Sequence, residues 1–219
     1  RVDDLVLKDY DANVGDDSEA VRLFAPDRTD VPHFAEFGFI VDGKRLPSST
    51  QWQANGEVLT PGTPVTLTHT DEAGVTYTVK LSIDDNYMIT AAQKVSNTGA
   101  GTVGVKPYAY ISRNGIPKDP DTWTIHVGPM GVFNGAANYD VNYTDLDKGP
   151  SVQSFQSKGG WIGFTDKYWL SALVPAADAD FAGQFRKGAG AQYQADVALG
   201  SNMVAPGKAV TQTQRLFVG

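Results

Sequence analysis

Apolar and polar positions alternate most clearly between residues 65 and 113. In residues 65–70 threonines alternate with larger side chains, and the alternation resumes after the turn-forming run 71–74. Residues 84–86 and 97–99 supply two further turns. Alternation with a period of two, interrupted by turns at intervals of about ten residues, is typical of antiparallel strands with one buried face. The pattern therefore predicts four consecutive strands and favours a β-sandwich.

A second apolar stretch, SKGGWIGFTDKYWLSALVP, covers residues 157–175. Two runs rich in aromatic and β-branched residues, 161–164 and 168–174, flank the turn-forming pair Thr165-Asp166. This arrangement predicts a tight hairpin. Gly159-Gly160 precedes it and can adopt a positive φ, which allows a sharp entry into the first strand. Because two of the four tryptophans lie here, we expect the hairpin to contribute to the core.

The remaining segments are also strand-like. Alternation predicts further strands, and two dipeptides, Asp42-Gly43 and Asn55-Gly56, predict turns, the latter a hairpin turn with positive φ at both positions. The polar segment 138–148 predicts a loop with at most one helical turn. We expect one all-β domain over residues 1–219, and because both ends lie within strand-like patterns, we interpret the chain as an excised domain. The further predicted strands are 2–7, 20–24, 34–41, 188–199 and 208–218.

Composition excludes several classes of function. The net charge is −7 and the basic residues form no cluster, which disfavours binding to nucleic acid and to anionic lipid surfaces. The absence of cysteine excludes disulfides, thiolate catalysis and cysteine-based zinc sites. No apolar run reaches the ~18 residues that a membrane-spanning helix needs. We expect no metal and no cofactor.

Candidate catalytic residues are few. His33, His69 and His126 are not at metal-ligand spacing, and no nucleophile-elbow motif is present. Glu36 and Glu57 lie in strand-rich regions, and a glutamate paired with a histidine could act as acid and base on a sugar. The alternative is that both glutamates are solvent-facing members of alternating strands.

Several motifs occur in the order seen in one family. The chain resembles the large periplasmic domain of bacterial YidC membrane-protein insertases, and the SKGGW motif is the strongest element of that resemblance. The motifs, in chain order, are RVDDLVLKDY at 1–10, TDEAGVTYTV at 70–79, FNGAA at 133–137, SKGGW at 157–161 and RLFVG at 215–219.

The resemblance implies a large antiparallel β-supersandwich, similar to galactose mutarotase, on the periplasmic side of the bacterial inner membrane. It implies a multi-pass parent protein that inserts and folds inner-membrane proteins. Its implied partners are client membrane proteins, the Sec translocon and the SecDF accessory proteins. The family's insertion groove lies in membrane helices, so no insertase residue carries over to these 219 residues.

Three functional hypotheses follow, and the third is that a groove between the sheets holds an extended segment of a client protein. The first is a non-catalytic domain that binds partners or clients, with Trp123, Phe133, Tyr139 and Tyr143 as candidate partner-binding residues. These aromatics lie among glycine and asparagine, a setting that suits interface anchors, although Phe133 could equally belong to the core. The alternative is a mutarotase-like carbohydrate-binding protein or aldose epimerase, which would need a histidine and a glutamate in one cleft.

Overall fold

The fold consists almost entirely of antiparallel strands. A computed structural model describes residues 1–11, 19–117 and 126–219. The elements, in chain order, are β1 (Leu5–Asp11), β2 (Ala20–Phe24), β3 (His33–Val41), β4 (Lys44–Arg45), β5 (Gln53–Ala54), β6 (Val65–Thr70), β7 (Val75–Ile83), β8 (Met88–Asn97), β9 (Val103–Asn114), β10 (Gly128–Phe133), β11 (Ala136–Asn138), α1 (Tyr143–Lys148), β12 (Val152–Lys158), β13 (Gly160–Thr165), β14 (Leu170–Pro175), β15 (Asp180–Lys187), β16 (Gln192–Leu199), β17 (Asn202–Val204) and β18 (Ala209–Val218).

Two large sheets face each other. The first has nine strands in the order β11-β10-β13-β14-β18-β8-β7-β6-β5. The second has seven strands, six of them in the order β12-β15-β16-β9-β3-β4, and β17 pairs with β9. The predicted series of four strands is confirmed as β6 to β9. However, β9 leaves the sheet of its three predecessors and crosses to the other one. A separate pair, β1 and β2, packs nearby through Leu7, Val21 and Phe24, which belong to the same buried cluster.

The core lies between the two large sheets. Side chains from both inner faces form one buried apolar cluster, whose largest fully buried aromatic members are Phe24, Phe39, Tyr77, Phe164, Phe185 and Tyr193. Each large aromatic removes about 150–250 Å² from water, so these rings contribute a large share of the hydrophobic stabilisation.

The predicted hairpin of residues 157–175 is confirmed. Ile162 of β13 pairs with Leu173 of β14, and both side chains are fully buried. The second strand begins at Leu170, two residues later than predicted, because the Asp166 N–H donates to the Trp169 carbonyl and closes a four-residue turn. Tyr168 therefore lies in the turn, with 74% of its surface exposed.

The two predicted turns have different outcomes. Asp42-Gly43 links β3 to β4 with φ of 45° and 82°, as predicted. The Asn55-Gly56 prediction is wrong, because neither residue has a positive φ. Asn55 instead extends the pairing of β5 with β6, since its Oδ1 accepts a hydrogen bond from the Thr66 N–H at 2.7 Å. The Asn55 N–H also donates to the Thr66 carbonyl at 3.0 Å, so Asn55 continues the ladder with β6 and does not start a hairpin turn.

The polar segment 138–148 contains one short helix. Its N-cap is Asn142, whose Oδ1 accepts from the Asp145 N–H at 2.9 Å, while Asp145 Oδ2 accepts from the Asn142 N–H at 3.2 Å. This capping box stabilises a six-residue helix that would be marginal alone. Within the described ranges, no helix is long and apolar enough to cross a membrane.

Candidate interaction groove

A groove lies between β3 of the seven-stranded sheet and β6 and β7 of the nine-stranded sheet. It has a volume of about 400 Å³. Its apolar lining comes from both sheets and includes Phe37, Phe39, Leu67, Val79 and Leu81. Loop 46–52 forms its outer wall. We refer to this feature as the intersheet groove.

Trp52 anchors that outer wall. Its ring lies nearly parallel to the ring of Phe39, with centroids 6.5 Å apart, and packs against His69 at 5.9 Å. His69 Nδ1 lies 3.0 Å from the Gln51 carbonyl oxygen, so strand β6 holds the loop by a polar contact as well. The groove therefore has an aromatic wall that is fixed from two sides.

Glu36 and two tyrosines form one polar cluster, part of which lies on the rim of the groove. The hydroxyls of Tyr108 and Tyr110 donate to the Glu36 carboxylate at 3.2 and 3.0 Å. Arg1 Nε lies 3.6 Å from the same carboxylate. Burial, helped by the Glu36 charge, raises the pKa of Tyr108 to about 12, so this hydroxyl stays protonated and remains a donor.

Beyond the rim, on the outer face of the seven-stranded sheet, the guanidiniums of Arg45 and Arg186 both approach the carboxylate of Asp196. The Arg45 guanidinium lies 4.4 Å from the Tyr108 ring centroid and 3.9 Å from the Asp196 carboxylate. Arg186 Nε approaches the other oxygen of Asp196 at 2.7 Å. Burial raises the pKa of Asp196, and the two guanidiniums oppose that rise. The seven-stranded sheet therefore carries charges of both signs and hydrogen-bonding groups near the rim, and these groups pair with one another.

His33 is sequestered in the core. Burial, and then the charge of Arg113, lowers its pKa to about 3. Its Nε2 lies 3.4 Å from the hydroxyl of Ser171, which is itself 2% exposed. This histidine–serine pair is enclosed by the sandwich, so a substrate cannot reach it.

The other histidines make structural contacts. His69 is held by the Gln51 carbonyl, and His126 Nδ1 lies 2.6 Å from the Thr165 hydroxyl. Glu36 is engaged by two tyrosines and Arg1, and Glu57 is exposed. His33, His69 and His126 form side-chain hydrogen bonds with Ser171, Gln51 and Thr165, none of which is a glutamate. Among the residues that the structure describes, no group of three or more acidic or histidine side chains could hold a metal ion.

The whole chain, residues 1–219, matches the family model described as "YidC periplasmic domain". This chain belongs to the YidC periplasmic domain family. A membrane protein insertase YidC from Zymomonas mobilis is 38% identical over the full chain, and one from Rhizobium etli is 37% identical. The chain spans 38% of the length of each of these relatives. The family resemblance carried by the SKGGW hairpin and the order of the motifs is thereby confirmed.

Solved structures confirm the fold. A galactose mutarotase-like protein from Lactobacillus casei aligns with a TM-score of 0.54 at 11% identity, covering 85% of each chain. A putative aldose 1-epimerase from Escherichia coli K12 aligns with a TM-score of 0.52 at 11% identity, covering 77% of this chain and 68% of that one. At such identities the likeness establishes the mutarotase-like β-supersandwich and nothing about activity.

The aromatic residues predicted to bind partners in this YidC-family domain lie in different environments. Trp123 lies outside the described residues. Phe133 stacks on Phe155 with centroids 4.1 Å apart, and Tyr143 is 5% exposed. Tyr139 is 59% exposed and therefore reaches solvent. The described members of this set do not form one continuous aromatic surface.

Sequence reasoning did not single out the groove residues. The aromatic positions of β3 were predicted to lie in a strand, but alternation alone does not show that Phe37 and Phe39 border an opening. The available sequence signal was Trp52 in an irregular segment flanked by polar residues, because tryptophan is enriched among the residues that contribute most to binding.

Proposed function

We propose that this domain is the non-catalytic interaction module of a membrane-protein insertase, and that the intersheet groove binds polypeptide segments of its clients or partners on the periplasmic side of the inner membrane. The observation that carries this proposal is the composition of the groove. An apolar aromatic wall with a rim of hydroxyl, carboxylate and guanidinium groups suits a peptide, whose side chains are apolar and whose main chain is polar.

The partners are proposed from the family. Clients of an insertase are membrane proteins, whose segments are rich in apolar side chains that the groove could accept. We further propose the Sec translocon and the SecDF accessory proteins as partners of the longer protein. Residues 1–219 are proposed to act as a single domain, since side chains from both large sheets share one core.

The experiment uses site-specific photo-cross-linking in the full-length insertase. A photoreactive amino acid replaces Ser48, which lines the groove, or Lys94, an exposed residue of β8, as the matched control. During insertion of a client in membrane vesicles, we expect adducts with client or translocon from position 48 and not from position 94.

Equal adducts from both positions, or none from position 48, would contradict the proposal. A sugar anomerisation assay on the isolated domain tests the mutarotase-like alternative. Catalysis that is lost in His69→Ala or Glu36→Gln would favour that alternative over the interaction function.

A further inference from the structure

Strand β12 forms one edge of the seven-stranded sheet, and half of its main-chain groups point away from the sheet. The main-chain N–H and C=O groups of its odd-numbered residues point toward β15. The Ser151 carbonyl accepts from the Lys187 N–H, and the Gly159 N–H donates to the Ala179 carbonyl. Because hydrogen-bonding direction alternates along an antiparallel strand, the N–H and C=O groups of the even-numbered residues face outward. These residues are Val152, Ser154, Gln156 and Lys158.

The side chain of Asn134 occupies one end of this edge. Its Oδ1 accepts from the Lys158 N–H at 2.9 Å, and its Nδ2 donates to the Gln156 carbonyl at 3.0 Å. The amide of Asn134 thus stands in for the peptide group of a neighbouring strand. Between Val152 and Gln156, within the described part of the chain, five outward main-chain groups keep no partner: both groups of Val152 and Ser154, and the N–H of Gln156.

The open part of the edge lacks the features that commonly protect edge strands. Residues 151–157 read SVQSFQS and contain neither a charged residue nor a proline. The strand pairs with β15 in unbroken register, so no bulge bends it away. Phe155 stacks against Phe133 underneath, which holds the strand in place. A rigid, uncharged and regular edge is a template for an added strand.

A hollow lies beside the start of the same strand. It has a volume of about 340 Å³ and is lined by Gln153 together with Thr144, Asp145 and Lys148 at α1. In an added strand, the residue opposite Gln153 would point its side chain to the same face of the sheet as Gln153. That side chain would enter the hollow, and the polar residues that line the hollow favour a polar side chain there.

We propose that the edge of β12 from Val152 to Gln156 binds an extended segment of another polypeptide as an added β-strand. This inference rests on the proposed function in that the partner is a polypeptide, but it assigns a surface separate from the intersheet groove. The occupant is an extended segment and not a second folded copy of this chain. A contact limited to five residues of one strand falls well below the ~1,200 Å² that a stable protein–protein interface buries.

Hydrogen exchange of the 219-residue domain, followed by NMR, tests the proposal. The probe is a pool of randomised heptapeptides at millimolar total concentration, and the control pool carries N-methyl groups on alternate amides. We expect the free pool to slow exchange at least several-fold at the amides of Val152, Ser154 and Gln156. The methylated pool should have a much smaller effect, because it cannot complete the ladder.

Two variants change the edge in opposite directions. Ser154→Pro removes an outward N–H without removing a ladder bond to β15, and should abolish the protection at Val152 and Gln156; Ser154→Thr is the matched control. Asn134→Gly preserves the positive φ of 51° and frees the Gln156 carbonyl and the Lys158 N–H, so it should extend the protection to Lys158.

Ser154→Lys provides a second edge-blocking variant should the Ser154→Pro variant fail to fold.

Protection that is absent, that lies elsewhere, or that survives Ser154→Pro would overturn the inference. So would protection of the same amides that grows with protein concentration without peptide, because the occupant would then be a second copy. The groove is tested separately: adducts from position 48 that persist in the Ser154→Pro insertase would leave the proposed function standing even if the strand addition fails.

Discussion

Arg113 Nη1 donates a hydrogen bond to Asp166 Oδ1 across 2.7 Å and so joins the two large sheets. Arg113 belongs to β9 of the seven-stranded sheet, whereas Asp166 lies in the turn between β13 and β14 of the nine-stranded sheet. Their side chains are 10% and 19% exposed. The turn of the SKGGW hairpin is therefore held by a mostly desolvated ion pair as well as by apolar packing.

Removing one partner of the Arg113–Asp166 ion pair should destabilise the folded domain. Asp166→Asn leaves the Arg113 charge largely buried without its counter-ion, and we expect the free energy of unfolding to fall by about 3 kcal/mol. Asp4→Asn is the matched control, because its pair with Arg22 is about half exposed and should contribute less than about 1 kcal/mol. Urea unfolding measures both. Equal losses in the two variants would contradict a special role for the inter-sheet pair.

His33 should make the domain less stable in mild acid. Its pKa lies at about 3 in the folded protein and near the ordinary 6.5 when unfolded, so below pH 6.5 the unfolded state binds a proton that the folded state does not. The contribution of neutral His33 to the free energy of unfolding is fully present above pH 6.5. It is lost by roughly 1.4 kcal/mol per pH unit as the pH falls towards 3. Ser171, Phe24 and Arg113 surround the ring and offer no negative charge to offset the loss.

Urea unfolding between pH 6.5 and 4.5 measures this effect, and His33→Gln should flatten the dependence. Asp196, whose pKa is raised, changes stability in the opposite direction, but it is present in both proteins and cancels in the comparison. Asp147 has a lowered pKa because Lys187 and Tyr193 hydrogen-bond to it, so its contribution is lost only at lower pH. An unchanged slope in His33→Gln would show that other groups govern acid sensitivity.

Gly160 should tolerate no side chain. It has a φ of 102°, and a Cβ there would lie 2.0 Å from the Val132 carbonyl oxygen, a backbone atom that cannot move independently. Gly160→Ala should therefore destabilise the domain by more than about 3 kcal/mol. Gly43, with a φ of 82° and open space around it, is the control and should lose only about 1–2 kcal/mol as alanine. Thermal or urea unfolding of the pair provides the measurement, and similar losses would rule out the clash as the cause.

Trp52 should matter for binding more than for folding. Trp52→Ala removes the outer aromatic wall of the groove, and we expect several-fold fewer adducts from the photoreactive residue at position 48. Because Trp52 is only half-buried, the loss of stability should stay near 2 kcal/mol. Tyr139→Ala tests the predicted partner-binding aromatic that is exposed. If it lowers client or translocon adducts as much as Trp52→Ala does, the partner surface extends beyond the groove.

The sequence by itself determined the family and many of the strands, but it did not predict β10, β12 or β15. Alternation between residues 65 and 97 predicted β6, β7 and β8, and Asp42-Gly43 predicted its turn, because both signals depend only on side chains close along the chain. The SKGGW hairpin and the order of the motifs pointed to the YidC periplasmic domain. These features are local, or depend on order alone, and so remain visible without a structure.

Only the tertiary structure decided which strands pair across long separations. Alternation places one face of β9 in a core, but it does not show that β9 leaves β8 for the other sheet. The sequence pattern likewise does not show the contacts of Asn134 with β12, since they join residues more than twenty positions apart. The sequence likewise did not show that Tyr143 is buried while nearby Tyr139 is exposed. Hydrogen-bond partners and packing neighbours are set by chain segments that meet only after folding, whereas the sequence pattern reports which face each residue prefers.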